Sequence, residues 1–78
     1  MQIKTETDIL KVDSKRKCYV FNGHYDIGFD QVDNPMKLIH WLHHMTEKVW
    51  FNSDVCNYFI ECVARQNGWD IYNVKGVL

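Results

Sequence analysis

Seventy-eight residues with 46% hydrophobic and 14% aromatic side chains are enough for one compact domain and too few for two. That composition excludes intrinsic disorder, which requires low hydrophobicity and high net charge. Nine basic against ten acidic side chains, a formal net charge of -1, exclude both the strongly positive field of a dedicated nucleic-acid binder and the dense negative field of a DNA mimic.

The opening MQIKTETDIL lacks the apolar stretch of a signal peptide, and no run approaches the roughly 18 apolar residues that a membrane span needs. Cys18, Cys56 and Cys62 form an odd set without CxxC spacing, which fits small buried thiols in a reducing compartment better than a disulfide framework. The expectation is a soluble cytoplasmic domain spanning residues 1–78, with no membrane partner. Within it, Ile3 to Val12 mixes Thr with Ile, Leu and Val and is a candidate strand that turns at Asp13-Ser14-Lys15. The basic run Lys15-Arg16-Lys17 reads as a solvated loop between strands.

In CYVFNGHYDIGF, Asn22-Gly23 separates two strand-like runs and suits a type I′ turn, whose central residues both need positive φ. With Phe21 and His24 flanking a two-residue turn, Val20 faces Tyr25 and Cys18 faces Ile27. Cys18, Val20, Tyr25, Ile27 and Phe29 then form the apolar side of the ribbon, leaving Tyr19, Phe21, His24 and Asp26 on the other. A two-stranded ribbon is marginal alone, so a third strand is expected from the N-terminal segment or from Asp70 to Val74.

Asn34 as N-cap and Pro35 at the first helical position start a helix expected to run to about Val49. Leu38, Leu42, Met45 and Val49 share one face, flanked by Ile39 and Trp41, and that face is the predicted core side. A second helix is signalled by Asn52-Ser53-Asp54 and closed by Asn67-Gly68, with Val55, Phe59, Cys62 and Val63 as its stripe, widened by Cys56 and Ile60. The predicted class is α+β: an N-terminal antiparallel β-hairpin or three-stranded sheet packed on a two-helix hairpin, with a short C-terminal strand as a candidate addition.

His40, His44 and Glu47 fall opposite the aliphatic stripe at spacings i, i+4 and i+7, which places them together on the solvated side. Two imidazoles one turn apart can share a zinc ion, yet a structural site needs four ligands and a catalytic one three with an open position. HExxH is absent and Cys56 and Cys62 diverge, so no metal site is expected. Without GxSxG, a glycine-rich phosphate loop or paired carboxylates, neither catalysis nor a cofactor is expected.

Two helices joined by a short turn raise a helix-turn-helix regulator as the alternative function, but the second helix offers only Asn57 and Arg65 toward base edges behind an acidic first turn. Surplus aromatics favour protein binding, since aromatic rings anchor interfaces. The candidate partner-binding residues are Tyr19, Phe21, His40, His44, Glu47, Trp50 and Trp69. A patch built from them would be covered by another protein or by a second copy in a homodimer.

The pattern Asp33-Asn34-Pro35-Met36-Lys37-Leu38, followed by Trp41, His44, Glu47-Lys48 and Trp50, resembles short uncharacterised proteins encoded by bacteriophages and prophages. The likeness covers Tyr25 to Trp69. It implies a small accessory protein, acting in the host cytoplasm on a host or phage protein complex, for example by blocking a defence or regulatory system. It implies no catalytic residues.

Overall fold

The computed structural model describes residues 5–71. Its elements are a one-turn helix α1 (Glu6–Ile9), strands β1 (Leu10–Asp13), β2 (Cys18–Phe21) and β3 (Tyr25–Gly28), a 3-10 turn (Phe29–Val32), and helices α2 (Pro35–Met45) and α3 (Ser53–Asn67). The fold is α+β, with a three-stranded antiparallel sheet in the order β1-β2-β3. The third strand comes from the N-terminal side, as one of the two expectations had it. It is shorter than Ile3–Val12, because the Asp8 carboxylate accepts from the Thr5 backbone N–H at 2.9 Å and coils the preceding residues into α1. Asp70 and Ile71 are not in a strand, and the rest of the expected C-terminal strand lies outside the described residues.

The hairpin turn takes the expected conformation, with φ of 53° at Asn22 and 77° at Gly23 and the His24 N–H donating to the Phe21 carbonyl at 3.2 Å. The register differs from the expected one. Phe21 pairs with Tyr25 and Tyr19 with Ile27, so His24 is an extra loop residue. Side chains alternate along a strand, so this single-residue slip turns β2 over. Tyr19 and Phe21, expected on the open side, face the core together with Leu10, Tyr25 and Ile27, while Val20 and Asp26 lie on the opposite face.

Helix α3 lies over that aromatic face. The Phe59 ring meets Tyr19 edge-on at 5.4 Å and Phe21 at 5.2 Å, and Val55, Phe59 and Val63 are fully buried. Each edge-to-face pair contributes about 0.5–1.5 kcal/mol beyond its buried area. The ends of α3 follow from sequence: Asn52 Oδ1 accepts from the Val55 N–H at 3.0 Å, and Gly68 at φ 74° lets the Trp69 N–H return to the Ala64 carbonyl at 2.8 Å. Asn67 Nδ2 donates to the Val32 carbonyl at 3.1 Å and ties the end of α3 to the 3-10 turn.

Helix α2 begins as expected, with Asn34 Oδ1 accepting from the Lys37 N–H at 2.9 Å ahead of Pro35. It ends a turn early. The Thr46 hydroxyl donates to the His43 carbonyl at 2.7 Å, and the chain turns away so that Trp50 and Phe51 reach Phe21. Consequently only Leu38 and Met45 of the expected stripe are buried, Leu42 is half-buried, and the flanking Ile39 is 55% exposed. Val49, expected in the core, is 99% exposed.

This ending gives a direct comparison in a denaturant titration. Met45→Ala should lose about 2–5 kcal/mol of stability, as buried methionine truncations do. Val49→Ala should change it by less than about 0.5 kcal/mol. A large loss at Val49 would place α2 in the longer, sequence-expected form.

Candidate docking surface

The strongest surface feature is a row of rings assembled from three parts of the chain. On α2, Trp41 stands between His40 and His44, with ring centroids 5.7 Å and 5.6 Å away, both edge-on. His44 approaches Tyr25 of β3 at 6.4 Å, and Tyr25 approaches Trp50 of the α2–α3 link at 6.3 Å. Lys48 Nζ lies 5.2 Å from the centre of the Tyr25 ring, a cation–π contact.

Helical geometry explains the first half of the row, since His40 and His44 are one turn apart with Trp41 beside them. The second half requires the early end of α2, which sends the chain back across β3. Trp50 stacks on buried Phe21 at 5.3 Å and 26°, so its position is fixed by the core while part of the ring stays accessible. Met36, one turn before His40 on α2, is 72% exposed, and Ile39 and Val49 are exposed as well.

The expected partner-binding residues divide accordingly. His40, His44 and Trp50 come together in the row, and Glu47 is exposed in the link just beyond α2. Tyr19 and Phe21 are removed from any surface role by burial, at 1% and 0% exposure. Trp69 packs half-buried beyond the end of α3, where it lines a separate groove with Ala64, Arg65 and Ile71. Trp41, expected beside the core face of α2, and Tyr25, expected on the apolar side of the ribbon, are members of the row that the expected partner-binding residues leave out. Trp41 was signalled by its helical spacing to His44, whereas only the register reveals Tyr25.

Some charges elsewhere are paired. Arg16 Nη2 bonds Asp26 across the strands, a contact that pushes the guanidinium pKa up from its ordinary value. Lys37 pairs with Asp33 at 2.9 Å. The Asp13 carboxylate accepts from the Lys15 and Arg16 N–H groups at 3.1 Å each, so the basic run forms the β1–β2 loop as expected. Among the described residues, no three His, Cys, Asp or Glu side chains gather as a metal site would require. Burial pushes the Cys56 and Cys62 thiols up from their ordinary pKa, the reverse of what a reactive cysteine needs. No helix of the described residues is long and apolar enough to cross a membrane. No family model, curated protein or solved structure matches the chain.

Burial also pushes the Tyr19 phenol up from 10.0 to about 12, with the nearby Cys62 adding to the effect. An unfolded phenol loses its proton near pH 10 and the folded one only near 12, so the unfolded state binds fewer protons between those values. Stability should therefore fall by about 2–3 kcal/mol as pH rises through that window. Urea midpoints at pH 9 and pH 11.5 check this: Tyr19→Phe should remove that part of the loss, and an unchanged pH dependence in the variant would refute the assignment.

Proposed function

We propose that the chain is a non-enzymatic protein-docking module whose working surface is the row Trp41, His44, Tyr25 and Trp50, with Met36, one turn before His40, at its border. The observation that carries this reading is the continuity of accessible rings pinned to a rigid core through the Trp50–Phe21 stack. Rigid, amphipathic rings lose little conformational entropy on binding, which is why they serve as anchors. The resemblance of the Asp33-to-Trp50 pattern to phage and prophage proteins suits such a role, since an accessory protein that blocks or redirects a host complex needs a complementary surface and no chemistry.

The regulator alternative has less behind it. Helix α3 spends Val55, Phe59, Cys62 and Val63 on the core and carries Asp54 in its first turn, where phosphate would be repelled. Arg16, the centre of the basic run, is held by Asp26.

Affinity capture from the native cytoplasm with and without nuclease tests the reading. The wild-type chain should retain a protein complex after nuclease treatment. His44→Asp and Met36→Asp, both on exposed positions of α2, should reduce its recovery about tenfold or more, while Lys11→Ala on the opposite sheet face should not. Complete loss of the complex with nuclease would move the function to nucleic acid, and equal recovery by all variants would move the docking surface elsewhere.

A further inference from the structure

The sheet ends openly at β1. In the order β1-β2-β3 it is an edge strand, and among the described residues no strand lies beyond it. The Asn22 N–H donates to the Ile9 carbonyl at 2.9 Å, which fixes the alternation of the ladder: the backbone groups of Ile9, Lys11 and Asp13 turn toward β2, and those of Leu10 and Val12 turn outward. The Leu10 N–H bonds the Glu6 carbonyl at the end of α1. The Leu10 carbonyl and the N–H and C=O of Val12 remain as a template for one more strand, with the Val12 side chain 44% exposed beside them.

The charges around Val12 decide what fits the template. Lys11 and Asp13 lie on the sheet face opposite the core, one on each side of Val12, and the Asp13 carboxylate is held through Oδ1, which accepts from the Lys15 and Arg16 N–H groups. Outward backbone groups bond only outward groups, so two antiparallel copies of β1 can meet with their twofold axis on Lys11, Val12 or Asp13 and nowhere between them. An axis on Lys11 sets lysine against lysine, and one on Asp13 sets aspartate against aspartate. Like charges directly opposite destabilise a strand pair. An axis on Val12 sets each Lys11 opposite Asp13 of the second copy and closes two hydrogen bonds between the Val12 backbones. A lysine at a sheet edge ordinarily blocks pairing. Here the acid two residues further on turns that block into a choice of register.

We propose that β1 is a homodimer interface, in which two copies pair antiparallel about Val12, join their three-stranded sheets into one and set the two Val12 side chains against each other. A strand of four residues makes a small interface of the weak, transient class. Strand β3, which carries Tyr25, is at the other edge of the sheet, so the pairing leaves the ring row of each copy uncovered and gives the dimer two of them.

Sedimentation equilibrium of the full chain, carried to about 1 mM protein, should show a concentration-dependent dimer, and the Val12 amide NMR signal should shift over the same range. Lys11→Asp, at an exposed position, should weaken the dimer about tenfold or more, and so should Asp13→Lys. An equimolar mixture of these two variants should recover the wild-type dimer, since each aspartate then faces a lysine. Asp13→Lys removes the loop acceptor, so Asp13→Asn, which keeps it, stands in where the lysine variant does not fold and should weaken the dimer about threefold or more. The proposal is overturned by a chain that stays monomeric, by a dimer that Lys11→Asp leaves unchanged, or by folded charge variants whose mixture does not associate. A dimer lost in His44→Asp but kept in Lys11→Asp would place self-association on the ring row and overturn it as well.

Discussion

The structure depends on one packing arrangement, the Phe59 ring of α3 set edge-on against Tyr19 and Phe21 of the central strand. Aromatic side chains supply the largest buried area per residue, and a chain of this length has few places to find it. Placing both rings under α3 requires β2 to present its odd-numbered residues to the helix. The pairing of Phe21 with Tyr25 achieves this and leaves His24 outside the ladder. A pairing shifted by one residue would exchange the two aromatics for Cys18 and Val20, and α3 would lose most of the surface it covers.

The same arrangement determines where the accessible rings lie. Phe21, fixed from one side by Phe59, offers its other side to Trp50 and Phe51. That contact draws the α2–α3 link over β3, and Tyr25 and His44 meet as a result. The surface row and the core are therefore parts of one aromatic network, which gives the row a support that its half-exposed members would not have alone. Two residues earlier on the same strand, Tyr19 packs its ring against Phe29 and Phe59 in the core.

Helix boundaries with side-chain signals were legible from residue order alone. Asn34-Pro35 opens α2, Asn52 opens α3, and Gly68 closes it, because each acts through hydrogen bonds or dihedral preferences a few residues wide. The α3 stripe of Val55, Phe59, Cys62 and Val63 was legible for a similar reason, its 3.6-residue period being intact over the whole helix. The end of α2 was not, since Val49 continues the period of Leu38, Leu42 and Met45 and no glycine or proline marks the stop. There a local hydrogen bond from Thr46 and the distant attraction of Phe21 for Trp50 outweigh propensity.

Residue order by itself determined the α+β class, the turn at Asn22-Gly23, the starts of both long helices, and the exposure of His40 and His44, all properties of contacts close along the chain. Tertiary structure alone decided the strand register, the burial of Tyr19 and Phe21, and the meeting of Tyr25, Trp41, His44 and Trp50. Those outcomes turn on which apolar surfaces can be covered together. Coverage is a competition among segments far apart in sequence, and a local pattern carries no record of its winner.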